Sequence, residues 1–220
     1  MPELTAERIA WGLMGYVILL FSLSVHESAH AWMALRMGDD TAARQGRITL
    51  NPLSHIDPIG TVLLPLVQML LTGIPLLGWA KPTPVVAHKF QQLTRGHLLV
   101  ATAGPASNLL LALASSVALY FGSRLLGLDP DGRDLAPLML RTSVQINVVL
   151  ALFNLIPLPP LDGSWVASWG LPRRLAEPYD RVMEPYGQWI LLVLFASSLL
   201  GRILSPFTTA LANLLLALAR

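Results

Sequence analysis

Long apolar stretches separated by short polar connections are the feature that most constrains how this sequence can fold. A helix needs roughly 20 apolar residues to cross a hydrocarbon core about 30 Å thick, and several stretches reach or approach that length. Only 13% of the residues are charged, whereas a soluble domain carries about 25%. We therefore predict an all-α polytopic membrane protein, a single membrane-embedded domain over residues 1–220 with about five transmembrane helices. These cover about Ile9–Met37, His97–Leu126, Leu138–Ile156, Gln188–Leu204 and Phe207–Ala219.

Three further segments do not have the pattern of a spanning helix. The apolar stretch of residues 59–77 is interrupted by Pro65, Gly73 and Pro75. We expect it to re-enter the membrane or to lie on its surface, because irregular backbone at depth is tolerated only where protein or water covers it. Residues 46–51 alternate in polarity, which predicts a short β-strand. Residues 79–86 are too rich in proline for a helix and predict a short edge strand.

The residues that carry chemistry lie in the first apolar helix, where His26, Glu27 and His30 form an H-E-x-x-H pattern. Residues four apart on a helix lie about 6 Å apart along its axis and roughly 40° apart around it, so both imidazoles can bind one metal ion. Glu27 lies beside them, where a carboxylate can take a proton from an attacking water. So short a motif also occurs by chance, but a charged residue within a transmembrane helix costs about 3 kcal/mol and therefore indicates function.

A catalytic zinc ion normally has three protein ligands, so one more ligand must come from another segment. The sequence contains no cysteine, which restricts the candidates to histidine and carboxylate side chains. Asp162, His55 and Asp57 lie inside or next to apolar segments. Asp162 follows a helix that prolines end, and its carboxylate can turn back into the bundle. The alternative interpretation is a turn aspartate before Gly163.

Three motifs, in this order along the chain, resemble those of the site-2 proteases, which are intramembrane zinc metalloproteases. Besides H-E-x-x-H, they are a G-P-x-x-N pattern and an N-x-x-P-x-x-x-x-D-G pattern. The matching residues are Gly104, Pro105 and Asn108 for the former and Asn154, Pro157, Asp162 and Gly163 for the latter. The resemblance covers roughly residues 9–170, which we expect to be the catalytic core. The C-terminal helices, about 188–219, match only in hydrophobicity.

The resemblance implies that one zinc ion binds to His26, His30 and Asp162. It also implies that Glu27 is the general base and that Asn154 helps to hold the substrate or the oxyanion. The implied function is hydrolysis of peptide bonds in transmembrane segments of membrane proteins, as in regulated intramembrane proteolysis. The alternatives are a zinc-bearing pseudoprotease that binds membrane clients and a metal transporter. The complete set of chemical residues argues against the former, and the few polar residues at other depths argue against the latter.

Residues 51–58 and 78–82 resemble the short bacterial type of this family, which has no PDZ or regulatory domain. In a protein of this type, with three zinc ligands already assigned, we expect His55 and Asp57 to have structural roles.

The ligands of one zinc ion must lie at a similar depth, so the first helix and the Leu138–Ile156 helix must run in the same direction. His97–Leu126 is then the return crossing, and residues 59–77 must enter and leave on one side. The metal side has the basic residues Arg36, Arg44, Arg47, Lys81, Lys89, Arg95, Arg173, Arg174 and Arg181, and the other side has Arg8, Arg124, Arg133, Arg141 and Arg202. This excess predicts a multi-pass protein of the cell membrane whose active site opens towards the cytoplasm. We expect the lipid bilayer and a membrane-protein substrate as partners and no nucleic acid, because the basic residues are scattered.

Overall fold

The computed structural model describes residues 5–72, 78–132 and 134–219. The α-helices in these ranges are α1 (Ala6–Arg36), α2 (Thr41–Arg44), α3 (Leu64–Thr72), α4 (Leu93–Leu126), α5 (Leu135–Asn154), α6 (Asp162–Gly170), α7 (Arg173–Ala196) and α8 (Leu199–Ala217). Short 3-10 helices cover Pro52–His55 and Ala87–Lys89, and a π-helical segment covers Pro58–Leu63.

Four helices of the described ranges are long and apolar enough to cross a membrane, namely Ile9–Arg36 within α1, and α4, α5 and α8. They confirm the all-α membrane architecture, but the prediction of about five such helices is too high by one. The chain between residues 188 and 219 breaks at Ser198, whose φ of 58° is left-handed, and not at Ser205-Pro206. Residues 188–196 consequently belong to α7. The first half of α7 is strongly polar, so this helix is not among the candidate membrane spans.

The two predicted β-strands are wrong, because no strand occurs in the described part of the chain. Around residues 46–51 the chain turns so that Arg47 points inward, where only 5% of this residue is exposed. Its guanidinium donates hydrogen bonds to the carbonyl oxygens of Ser54, Lys81 and Pro82. Residues 79–86 have no regular secondary structure, since two prolines lack an N–H. Four of the other amides donate to groups outside any ladder, namely those of Trp79, Lys81, Thr83 and Val86.

Residues 58–72 form a π-helical turn that continues into α3. The apolar helix Pro58–Gln68 is shorter than the roughly 20 residues that a membrane span needs. Pro65 lies within α3, whereas Gly73 and Pro75 fall in residues 73–77, outside the described ranges. Re-entry of this segment into the membrane therefore stays a prediction.

α4 is the central helix of the bundle and packs against α1, α5, α6 and α8. Its buried face is rich in small residues, such as Gly96, Ala101, Gly104 and Ala112, which let neighbouring backbones approach closely. The C-terminal part of α1, the N-terminal part of α4 and the C-terminal end of α5 meet at one level of the bundle. The chemical residues lie at this level.

Candidate metal centre

α1 presents His26 and His30 on its buried face, where they are only 4% and 7% exposed. Asp162 is the first residue of α6 and follows the loop of residues 155–161, hereafter the Asp162 loop. Its Oδ2 lies 3.2 Å from Nε2 of His26 and 3.4 Å from Nε2 of His30. The two Nε2 atoms are 3.0 Å apart. Three side chains from two distant segments thus direct one donor atom each to a single point.

The other nitrogen of each ring makes a hydrogen bond that decides where the ring proton lies. Nδ1 of His30 is 2.7 Å from the carbonyl oxygen of Val100, which can only accept, so this nitrogen is the donor. Nδ1 of His26 is 2.6 Å from Oδ1 of Asn108, which is also an acceptor. In the neutral form of each ring, Nε2 then has the lone pair with which histidine binds a metal.

The three donor atoms fit a zinc ion. Ligands about 2.0–2.1 Å from a tetrahedral zinc lie about 3.3 Å from one another, which agrees with the three separations above. Oδ2 of Asp162 is buried and has no hydrogen bond within the described part of the chain. Gly104 leaves space beside the donors, since a Cβ there would lie 2.3 Å from Nε2 of His30 and 2.6 Å from Nε2 of His26. The buried carboxylate of Asp162 has a negative charge that neutral imidazoles do not balance, so the site can accept a cation.

Glu27 lies next to this cluster but is not one of its donors. Its Oε2 accepts hydrogen bonds from the backbone N–H of Thr83 at 2.8 Å and from the hydroxyl of Thr83 at 2.7 Å. Thr83 is part of the extended segment of residues 78–86, which lines the same cavity as Glu27. The carboxylate is thus held beside the metal position and not at it, as a general base requires.

The sequence that contains this cluster is similar to those of known proteins. Putative zinc metalloprotease YwhC of Bacillus subtilis is 39% identical to this chain over 204 residues, which are 90% of the chain and 88% of YwhC. The chain belongs to the YwhC family. Putative zinc metalloprotease Rip2 of Mycolicibacterium smegmatis is 32% identical over 190 residues, and Rip2 of Mycobacterium tuberculosis is 35% identical over 186 residues. Each match covers 83% of the chain and 66% of Rip2.

No family model matches the chain, and no solved structure matches it significantly. The names of its relatives support a metalloprotease and imply zinc as its metal. Within the YwhC family, this member has a donor set of two histidines and one aspartate, which is a common ligand set for catalytic zinc.

The Asp162 loop reaches the metal centre because a glycine follows it. A Cβ on Gly163 would lie 2.3 Å from the carbonyl oxygen of Leu155, so any larger residue would push the start of α6 away from the loop. The loop itself is closed by local backbone hydrogen bonds. The N–H of Leu158 donates to the carbonyl oxygen of Ile156, and the N–H of Leu161 donates to that of Leu158. These contacts set the position from which Asp162 turns back into the bundle.

α7 supports the same loop from the outside. The hydroxyl of Tyr179 donates a hydrogen bond of 3.1 Å to the carbonyl oxygen of Pro157. Gly187 lets the ring of Pro159 come close, since a Cβ there would lie 2.5 Å from its Cδ. The C-terminal region, which has no recognisable motif, thus contributes to the position of a metal ligand.

Asn154 lines a cavity of about 550 Å³ together with Glu27 and the three donors. Its Nδ2 donates a hydrogen bond of 2.9 Å to the carbonyl oxygen of Leu150, one turn earlier in α5. A side-chain amide has a second hydrogen, so this contact is compatible with a further bond to a substrate. The role of Asn154 towards the substrate stays a prediction.

His55 and Asp57 lie outside the donor cluster. Nε2 of His55 is 2.9 Å from the carbonyl oxygen of Thr49, and the residue is almost completely buried. Asp57 is the N-cap of the π-helical segment, where its Oδ1 accepts hydrogen bonds from the N–H groups of Ile59 and Gly60. These contacts agree with structural roles for both residues.

The 78–86 segment contains a residue in contact with Glu27 that no sequence motif indicates, Thr83. Hydrogen bonds anchor the segment at both ends. The Thr61 hydroxyl donates to the carbonyl oxygen of Trp79 at 2.7 Å, and the N–H of Val86 donates to the carboxylate of Asp39 at 2.6 Å. The only signal in the sequence is a hydroxyl residue between two prolines.

Burial alone would raise the pKa of Asp39, but hydrogen bonds from Thr41 and Val86 outweigh it and hold this pKa below its ordinary value.

Proposed function

We propose that this chain is an intramembrane zinc metalloendopeptidase of the site-2 protease type, which hydrolyses peptide bonds in transmembrane segments of membrane proteins. The observation that carries the proposal is the position of Glu27. A carboxylate held by Thr83 lies beside three converging metal donors, within a cavity of about 550 Å³. This is the arrangement that metal-assisted hydrolysis of an amide needs.

The location of the site within α1 supports an intramembrane substrate. His30 is six residues from the end of the apolar span Ile9–Arg36, and His26 is ten residues from it. At 1.5 Å per residue, the donors lie about 9–15 Å inside that end of the helix. A peptide bond that reaches them must itself enter the membrane region.

Each side chain at the site has a separate task. A bound zinc ion supplies Lewis acidity for the scissile carbonyl and for the attacking water. His26, His30 and Asp162 hold that ion. Glu27 takes a proton from the attacking water and returns it to the leaving amine. Thr83 holds Oε2 of Glu27, which leaves Oε1 to accept the proton.

Asn154 stabilises the oxyanion in this proposal. It lines the cavity with Glu27, and one of its amide hydrogens is held by Leu150. The fixed amide directs the second hydrogen towards the substrate carbonyl, where charge develops in the transition state. Because helical amides are already hydrogen-bonded, the substrate helix must unwind locally before its carbonyl reaches this position.

We further propose that the site opens towards the cytoplasm. The connection between α1 and α4, with Arg36 and Arg95 at the helix ends that flank it, and the polar first half of α7 carry nine of the fifteen Lys and Arg residues. Positively charged connections remain on the cytoplasmic side, and the metal centre lies nearest to these connections. Tags inserted after Asp40 and after Gln92 are both expected to report the cytoplasmic side, and a report from the opposite side of the membrane by either tag contradicts this orientation.

The test of the proposed function is the location of the cut. The purified protein is reconstituted in lipid vesicles with a panel of single-pass membrane proteins, and the products are mapped by mass spectrometry. We expect cleavage within the transmembrane segments, loss of cleavage after zinc is removed by a chelator, and recovery when zinc is restored.

Cuts confined to soluble loops would contradict the intramembrane assignment. Stable binding of the panel by zinc-loaded protein without any cleavage would favour the pseudoprotease. Zinc transport across the vesicle membrane without cleavage would favour the transporter.

A further inference from the structure

The two histidines of the metal centre are oriented by different kinds of group. Nδ1 of His30 faces the carbonyl oxygen of Val100, which can only accept a hydrogen bond. Nδ1 of His26 faces the side-chain amide of Asn108, which presents an acceptor on one side and a donor on the other. The tautomer of His30 is therefore fixed by the backbone, whereas the tautomer of His26 depends on which way the Asn108 amide points.

The Asn108 amide is held in one direction by its other contacts. Its Nδ2 donates to Oδ1 of Asn147 at 2.8 Å and lies 3.3 Å from the carbonyl oxygen of Ser22. If the amide were reversed, its oxygen would face two acceptors. Asn108 and Asn147 are both fully buried, so no solvent compensates a reversed amide.

The amide of Asn147 is in turn held by two acceptors for its Nδ2 hydrogens. Its Nδ2 lies 2.9 Å from the carbonyl oxygen of Ser143 and 2.9 Å from Oγ of Ser22. The backbone carbonyl of Ser143 fixes the Asn147 amide, Asn147 fixes the Asn108 amide, and Asn108 fixes the His26 ring. This polar relay runs through the apolar contact of α1, α4 and α5.

We propose that Asn147 is a positioning residue of the metal centre, which holds His26 in the Nδ1–H tautomer through Asn108 and so keeps Nε2 ready to bind the metal. Asn147 touches neither the donor cluster nor the cavity. The inference rests on the proposed metal site, but it does not depend on peptide hydrolysis.

The relay makes a specific prediction about which atom of Asn147 matters. Its Oδ1 must be present to accept from Asn108, whereas its Nδ2 serves only to orient that oxygen. Asn147→Leu removes this acceptor with little change of shape, so that only the carbonyl oxygen of Ser22 still opposes reversal of the Asn108 amide. A fraction of His26 then has its proton on Nε2, where it blocks the atom that binds the metal. Asn147→Asp retains the acceptor.

The experiment measures zinc affinity by competition with a chelator, for the full-length protein in detergent. We expect Asn147→Leu to weaken zinc binding by about 10- to 100-fold, the usual effect of a group that orients a ligand. Asn147→Asp is expected to stay within about 3-fold of the wild type by the same criterion. The matched control is Ser116→Ala. Ser116 belongs to α4, is fully buried like Asn147, and donates to the carbonyl oxygen of Leu215, away from the site.

A second readout separates positioning from general packing, and its measurement on the wild-type protein does not need any variant to fold. Nitrogen-15 NMR of the histidines in the metal-free wild-type protein should show His26 as the Nδ1–H tautomer, with the same tautomer in Asn147→Asp and a mixture in Asn147→Leu. An Nε2–H tautomer of His26 in the wild type would overturn the proposal. So would unchanged zinc affinity in folded Asn147→Leu, or equal losses in Asn147→Leu and Asn147→Asp.

Discussion

The two halves of the metal centre are held in different ways. His26 and His30 lie on the buried face of a long helix, and each Nδ1 has a hydrogen-bond partner on α4. Asp162 stands at the end of a loop, its side chain is 19% exposed, and its Oδ2 has no hydrogen bond within the described part of the chain. The two histidines therefore have protein groups that fix their orientation without a metal, whereas Oδ2 of Asp162 gains its partner when a metal binds.

The same division applies to the catalytic carboxylate. Glu27 belongs to α1, but the group that orients it, Thr83, belongs to the 78–86 segment. That segment depends on Arg47 and Asp39 for its position. Helices thus fix the metal-binding face in advance, while irregular segments bring the remaining groups to it. The two sides are therefore expected to respond differently to substitution, and four sets of variants test this expectation.

The largest effect is expected from Gly104→Ala. The added Cβ would lie 2.3 Å from Nε2 of His30, so the methyl group takes the space that the ligands and the metal need. We expect zinc content to fall from about one ion per chain to nearly none, although no ligand is removed. Gly15→Ala in α1 is the matched control, because nothing lies within 4 Å of its Cβ. Zinc binding by Gly104→Ala at the level of this control would show that the site is misplaced.

A pair of ligand variants compares the two halves directly. Asp162→Ala and His26→Ala are each expected to weaken zinc binding by more than about 100-fold, since even groups that only orient ligands contribute 10- to 100-fold. The metal-free proteins should differ. His26→Ala leaves Oδ1 of Asn108 buried without its partner, which costs about 1–3 kcal/mol of stability, whereas Asp162→Ala should leave stability unchanged or higher. Thermal unfolding of both proteins in a chelator checks this difference, and equal stabilities would remove the distinction between the halves.

Acid should loosen the loop-held side before the helices. The pKa of Asp39 is lowered in the folded state, so its contribution to stability is complete above the ordinary carboxyl pKa of 3.8 and is lost as the pH falls through the lowered value. We expect Asp39→Asn to be less stable than the wild type at pH 7 by about 1–2 kcal/mol, the size of a charge-assisted hydrogen bond. Melting curves in detergent from pH 7 to pH 3 should bring the two proteins together at low pH. A constant difference across this range would contradict the assignment.

The smallest effect is expected at the outer support of the Asp162 loop. Tyr179→Phe removes the hydroxyl that donates to Pro157 and should cost about 0.5–1.5 kcal/mol of stability. Part of this loss should appear as weaker zinc binding, by a few-fold, because the loop carries a ligand. Tyr186→Phe on the same helix is the control, since Tyr186 is 60% exposed. Equal zinc affinities in the two variants would indicate that α7 does not position Asp162.

The sequence predicts the helix-borne side of the molecule well. Apolar length identifies α1, α4 and α5, and the spacing of His26 and His30 predicts that they share a face, because helical geometry is set by local periodicity. The Asp162 position also follows from its motif. The C-terminal boundary at Ser198 is not predictable in this way, since a single left-handed residue ends α7 without a glycine or proline to mark it.

The irregular side is harder to predict, for a physical reason. Alternation around residues 46–51 indicates a strand, but Arg47 turns inward because its guanidinium donates to three carbonyl oxygens, two of them in the 78–86 segment. Thr83 reaches Glu27 across 56 positions of the chain. Such contacts depend on where other segments lie, and no local pattern records them.

The most direct test of the account is a comparison of wild-type protein with Glu27→Gln, in which zinc content and cleavage of a single-pass membrane substrate are measured on the same samples. Glutamine retains the acceptor for Thr83 but cannot take a proton, and a general base contributes about 10²- to 10⁴-fold to the rate. We predict about one zinc ion per chain in both proteins and a loss of cleavage by at least about 100-fold in Glu27→Gln. Cleavage by Glu27→Gln at the wild-type rate, or wild-type protein without zinc that still cleaves, would contradict the central claim.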